Sequence, residues 1–286
     1  MQILNSRAAA IAALLLAAVL WSSAGITFRF LETVTNGIAI SGYRSLFAAI
    51  FYISVLRALP KMESGKWFKI AIAAYMSATT LFVISNTLTT AANAIVLQYT
   101  APVFVCLYLY FIFKKPLPRY DIIATAIIFA GICIFFVDSL TIQFSPSMTL
   151  GNLIAVVSGA GFGLQAIVLS KVSDPRYVIT YGNIANVIVA LPFMFMYPIG
   201  SLLDLGLLIY LGVIQIGLSY MLFAFAVSKV SPLELILIPT LEPILNPVWV
   251  FLFYGQAPSI LAVVGGAIII TTILLWSIYK YRLQNP

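Results

Sequence analysis

The chain has 286 residues, 63% of them hydrophobic and 8% charged, with a net charge of +7 and a mean hydropathy of +1.10. A soluble domain runs near half apolar and a quarter charged, so these values exclude one and call for membrane-spanning helices in a lipid bilayer. The short alternating segments of a β-barrel are missing, and the basic residues sit singly or in small groups between apolar stretches, as membrane topology requires and a nucleic-acid surface does not.

Ten spans are predicted in chain order, near residues 7–28, 37–57, 67–89, 92–113, 119–138, 149–170, 177–197, 204–227, 231–254 and 258–279. Each has the roughly 20 residues that cross a bilayer. The first, with Arg7 ahead of an apolar run and "SSAG" behind it, imitates a signal peptide, but ten spans fit only if it stays. It sets Trp21 and Gly25 on one face. The second carries Arg44, about 10 Å from its nearer end at 1.5 Å per residue. In the third, Tyr75, Thr79, Phe82 and Asn86 recur at helical spacing and form one stripe. Only "TAA" near residue 90 separates the third from the fourth, yet 67–113 is too long for one span. The fourth bears Gln98, Tyr99 and Pro102. In the sixth, Gly159 and Gly163 form a GxxxG packing motif, followed by Gln165. Asn183 and Asn186 share a face in the seventh span, and Gln215 and Ser219 in the eighth. The ninth holds Pro239, Glu242, Pro243, Asn246 and Pro247. The fifth and tenth have almost no such polar residues; Gly131, Gly265 and Gly266 suit them for close packing outside a polar cavity built by the other eight.

With the N-terminus in the cytoplasm, all of the 15 Lys and Arg except Arg29 and Arg44 lie on the inner side. Both termini are therefore expected there. A shift of 141 residues lays the second five spans on the first and brings Pro102 onto Pro243. Two repeats follow, 1–141 and 142–286. An odd number of helices in each makes the second enter the membrane upside down, the architecture of many secondary transporters, whose solute binds near the midplane between the halves.

Four segments carry a family resemblance: "WSSAGITFRF" (21–30), "GYRSLFAAIFY" (42–52), "AANAIVLQYTAPVFV" (91–105) and "TLEPILNPVWVFLFYG" (240–255). Together they resemble the drug/metabolite transporter superfamily, EamA-type branch. The resemblance implies an all-α membrane protein of ten helices in a 5+5 inverted fold, exporting amino acids or other small metabolites. It also favours an inward role for Arg44. Where the family often closes its fourth and ninth helices with Gly-Glu, this chain has Lys114-Lys115 and Gly255-Gln256, so no role passes to those positions.

A charged side chain at mid-bilayer costs roughly 2.5–3.5 kcal/mol on insertion scales and needs a partner or a wet cavity. Glu242 is such a residue. Asn246 shares its face, and Arg44 is its natural partner if the second and ninth spans adjoin; snorkelling to the headgroups is the other reading of Arg44. Each proline of the ninth span removes the donor to the carbonyl four residues earlier. Pro102, Pro239, Pro243 and Pro247 are therefore expected to bend paired gating helices, or to set fixed kinks. The remaining polar residues read either as interhelical bonds worth about 0.6 kcal/mol each or as the walls of a solute site.

Absent chemistry narrows the function. The chain has no histidine, which removes a histidine relay, most metal sites and any Ser/His/Asp set. Cys106 and Cys133 fall in apolar spans as small hydrophobes, not as a disulfide framework. One central carboxylate is too few for two-carboxylate catalysis, and no phosphate loop is present. The sequence thus predicts no catalytic residue, no metal, no cofactor and no nucleic-acid partner. It predicts an alternating-access exporter of a small organic solute, amino acids foremost, in the cell inner membrane, with a proton on Glu242 as a candidate coupling ion. A carrier for hydrophobic or drug-like compounds is the alternative; a channel and a non-transporting receptor are more distant ones.

Overall fold

The computed structural model describes residues 7–137, 145–255 and 259–284, apart from the side chains of Arg29, Ala91, Ala92, Phe136, Asn246, Pro247, Val250, Tyr254 and Gln284. The described residues form helices and no strand. In chain order these are α1 (Arg7–Ser22), α2 (Ala24–Arg29), α3 (Gly37–Leu56), α4 (Lys66–Leu88), α5 (Ala91–Gln98), α6 (Ala101–Leu107), α7 (Arg119–Phe136), α8 (Pro146–Val168), α9 (Pro175–Met196), α10 (Leu202–Tyr210), α11 (Ser219–Val227), α12 (Pro232–Leu237), α13 (Leu241–Tyr254) and α14 (Ile260–Gln284). A π-helical stretch, Leu211–Leu218, joins α10 to α11, and a 3₁₀ turn, Ile238–Thr240, joins α12 to α13. Among the described residues, eight helical runs are long and apolar enough to cross a membrane. The fifth and ninth predicted spans are occupied by α7 and by α12–α13.

The breaks have local causes. Between α1 and α2, Ser22 Oγ and Ser23 Oγ donate back to the carbonyls of Val19 (2.6 Å) and Leu20 (2.7 Å). Such back-bonding by adjacent serines bends a helix. Pro102 and Pro243 do not sit at the bends themselves. Each occupies the first turn of the segment after the break, α6 and α13, where a missing N–H costs little. The bend falls about one turn earlier, at Tyr99–Thr100 and at Ile238–Thr240, where the carbonyl acceptors have lost their donors. Pro239 lies in the 3₁₀ turn; the side chain of Pro247 is outside the described residues.

The 141-residue shift reappears in the helix ends. Thr90 caps α5 by accepting from Asn93 N, and Ser231 caps α12 by accepting from Glu234 N; α7 starts at Arg119 and α14 at Ile260. Packing follows the same exchange of halves. Helix α4 packs on α8 and, correspondingly, α11 packs on α1; α5 and α6 pack on α8 as the 3₁₀ turn and α13 pack on α1; α3 pairs with α9 and α7 with α14. Small residues set these approaches. A Cβ on Gly159 would lie 2.6 Å from the carbonyl oxygen of Gln98, and one on Gly163 2.8 Å from that of Ala101. The GxxxG of α8 therefore receives the backbone around the α5–α6 break. A Cβ on Gly265 would lie 2.6 Å from Gly131 O, so these glycines bring α7 and α14 together.

Two polar clusters tie the ends of the bundle. Where α1 and α12 begin and α14 ends, Glu234 (2% exposed) accepts from Arg7 Nη2 (2.6 Å) and from Lys280 Nζ (3.1 Å). At the other end the buried Asp204 accepts from the backbone N–H groups of Glu32 (3.1 Å), Thr33 (2.8 Å) and Val34 (3.3 Å) and from the Thr33 hydroxyl. It thereby ties the start of α10 to the loop before α3.

Candidate functional site

A small cavity of about 50 Å³ lies among α1, α3, α4, α5, α8, the π-helical stretch, α11 and α13. Seven of the residues read from the sequence line it: Trp21, Arg44, Thr79, Phe82, Gln98, Gln215 and Glu242. Neither α7 nor α14 contributes a residue, and α9, the seventh of the spans expected around the cavity, contributes none either. The cavity draws on both halves of the chain.

Arg44 is 4% exposed, so it turns inward and does not snorkel. The expected ion pair with Glu242 is not formed. Arg44 Nη2 donates instead to Gln215 Oε1 at 2.6 Å, and its guanidinium lies over the Phe28 ring, 5.1 Å from the centroid. The cause is helix adjacency: α3 packs chiefly on α9 and on the π-helical stretch. Glycines permit that approach, since a Cβ on Gly212 would lie 2.6 Å from Arg44 O. Arg44 Nε has no partner, and among the described residues no carboxylate reaches ion-pair distance of the guanidinium.

Glu242, at the first turn of α13, meets Tyr99 instead. The Tyr99 hydroxyl lies 2.9 Å from Glu242 Oε2 and 3.1 Å from the carbonyl oxygen of Pro239. That carbonyl is the one whose donor Pro243 removes. Tyr99 is 2% exposed and stands behind Glu242, outside the cavity lining.

Other predicted residues hold helices together. Asn183 Nδ2 donates to the Tyr75 hydroxyl (2.9 Å) and to Ile179 O (2.8 Å). Asn186 accepts from Thr80 (2.6 Å) and donates to Ser45 (3.3 Å), joining α9 to α4 and α3. Gln165 is fully buried in α8. Asn86 lies in a second pocket, described below. The side chain of Asn246 is outside the described residues, as is that of Arg29.

The sequence missed Phe162, Ile216 and Tyr220 in the wall. An α-helical register puts Gln215 and Ser219 on one face. The π-helical turn widens the repeat to i, i+5, so Gln215 and Tyr220 face the cavity while Ser219 turns away and bonds Ile214 O at 3.2 Å. Tyr220 then stacks edge-on with Trp21 and with Tyr75, both at 5.0 Å between centroids. A second pocket, between α2, α3 and α4, is lined by Gly25, Phe28, Val83 and Asn86 among others. Phe28, lying on Arg44, stands between the two pockets.

The profile of the EamA-like transporter family matches residues 8–137 and again 149–278, so the two matches begin 141 residues apart. A solved crystal structure described as "Crystal structure of protein" has the same fold, with a TM-score of 0.77 over 96% of this chain and 99% of its own, at 14% sequence identity. No curated protein matches the chain.

Proposed function

Since the chain belongs to the EamA-like transporter family, we propose that it is a secondary carrier exporting small organic metabolites, amino acids foremost, across the cell inner membrane by alternating access to the central cavity. In this reading ten spans form inverted repeats, 1–141 and 142–286, with both termini cytoplasmic. The matching caps and the exchange-symmetric packing of the two halves support it, as does the charge bias of the loops.

The observation that carries the solute assignment is Arg44. A buried guanidinium without a carboxylate partner among the described residues is costly inside a membrane, and here it borders the central cavity between the halves. A carboxylate on the solute would supply the missing anion, with its apolar part against Trp21, Phe82 and Phe162. Rocking of the halves would swing the segments after the two breaks, α6 and α13. The aromatic wall also favours a second reading, an efflux carrier for hydrophobic compounds.

The test is a thermal-shift screen of purified protein against amino acids, other metabolites and apolar cations, since a ligand of the native state raises its stability. A carboxylate-bearing solute should raise Tm in the natural protein and not in Arg44→Gln. Stabilisation by apolar cations alone would replace the first reading with the second. Counterflow of the labelled solute in proteoliposomes then separates carrier from channel, because only a carrier accelerates exchange.

A further inference from the structure

The hydrogen-bond inventory around Tyr99 does not close with an ionised Glu242. A tyrosine hydroxyl has one proton to give. It stands within bonding distance of two oxygens, Glu242 Oε2 at 2.9 Å and the Pro239 carbonyl at 3.1 Å. If the carboxyl group is ionised, both oxygens are acceptors and one of the two contacts lacks a hydrogen. If it carries a proton, both contacts are hydrogen bonds: the carboxyl O–H donates to the Tyr99 oxygen, and the Tyr99 O–H donates to Pro239. Nothing else replaces that donor well. Pro243 has no N–H, and the remaining backbone donor to Pro239 O is Leu241 N–H, two residues on, in the tight 3₁₀ turn.

We infer that Glu242 is a proton-binding site whose occupancy Tyr99 transmits to the break between α12 and α13. With the proton bound, the chain Glu242–Tyr99–Pro239 ties the end of α5 to the 3₁₀ turn. When the carboxyl O–H bond breaks, the proton leaves into the cavity that Glu242 borders. The Tyr99 proton then turns to the carboxylate, the stronger acceptor, and the Pro239 carbonyl keeps only the Leu241 N–H. The two broken helices are thereby joined when the acid is neutral and freed when it is charged. Tyr99 is a positioning residue in this scheme, and Glu242 holds the proton.

The groups facing Glu242 fit this role. Arg44 on α3 and Tyr220 on α11 share the cavity wall with it. On the elements packed against α13, Arg7 of α1 and Lys280 of α14 are engaged by Glu234 at the far end, where Arg282 is exposed. Among the described residues no cation forms an ion pair with Glu242, which leaves it able to exchange a proton.

This inference rests on the carrier reading for its use, but its test does not. Infrared difference spectra of the purified protein, without solute, are recorded from acid to alkaline pH in H₂O and D₂O. A carboxylic-acid C=O band that titrates and shifts on deuteration should be present, and Glu242→Gln should remove it. In Tyr99→Phe the band should persist at higher frequency, because its hydrogen-bond acceptor is gone. Identical spectra for the natural protein and Glu242→Gln would overturn the proton site. An unmoved band in Tyr99→Phe would overturn the transmission through Tyr99. If Glu242→Gln fails to fold, the deuteration shift and Tyr99→Phe still decide. Counterflow reads the carrier separately, so a protein that exchanges solute yet lacks the band would retain the proposed function and lose this inference.

Discussion

The α5–α6 and α12–α13 segments are two versions of one design. Each starts from a hydroxyl cap, Thr90 or Ser231. Each breaks about one turn before a proline, and each lays its break against the first long helix of a repeat: α8 with its two glycines, or α1, where Trp249 Nε1 donates to Ser22 at 2.8 Å. They differ in charge. The third residue after the cap is Asn93 in one and Glu234 in the other. Asn93 joins neutral bonds with Thr89 (3.3 Å) and Asn152 (3.4 Å), whereas Glu234 binds two cations. Ahead of the proline stand Ala101, fully buried, and Glu242, on the cavity. Backbone geometry is thus common property of the two copies, and the two acids are an addition to one of them.

That comparison is open to breakage at four levels. The largest effect is expected from Glu234→Ala, which strips the partner from Arg7 and from the buried Lys280. Removing one side of a buried ion pair costs about 3–5 kcal/mol, so the detergent-solubilised protein should lose far more thermal stability than Asn93→Ala does; equal losses would show that the two caps are equivalent after all. Next comes Ala101→Glu, which places on the first copy the acid of the second. With no Tyr99-like partner in a dry site it should cost roughly 2.5–3.5 kcal/mol on insertion scales, read as a lowered yield of folded protein. Gly159→Val forces side-chain atoms into the Gln98 carbonyl and should cost about 1–3 kcal/mol by overpacking. Gly206→Ala, where a Cβ meets nothing within 4 Å, is the matched control and should be neutral or slightly stabilising. The smallest effect belongs to the caps: Thr90→Ala should cost about 1 kcal/mol, and Ser231→Ala somewhat more, since Ser231 Oγ also accepts from Lys280 Nζ at 2.8 Å.

Much of the candidate site was legible from polar residues out of place in apolar spans. Trp21, Arg44, Thr79, Phe82, Gln98, Gln215 and Glu242 reach one cavity because a membrane excludes such groups from the lipid face and helical spacing fixes which face they occupy. Tyr75, Asn183 and Asn186 gave the same signal but serve helix contacts, since a polar side chain between helices looks the same in sequence as one facing a cavity. Tyr220 was lost to the register, because a π-helical turn leaves no mark in a stretch such as Leu211–Leu218, apolar but for Gln215. Phe28 was lost because an aromatic residue at a helix end looks like an interfacial anchor.

What the sequence by itself determined was the solvent and the symmetry. Apolar run lengths dictate membrane-spanning helices, and five spans and a proline recurring 141 residues apart predict two similar copies, because span length and helix breaks are written in local residues. Tertiary structure alone decided who meets whom. Arg44 and Glu242, a natural ion pair on paper, are separated because glycines in the π-helical stretch draw α3 towards Gln215. Tyr99 reaches across the two copies to the one carbonyl that Pro243 leaves without its donor. Such pairings depend on which helices adjoin and by how much they rotate, and that is set by packing summed over the whole bundle.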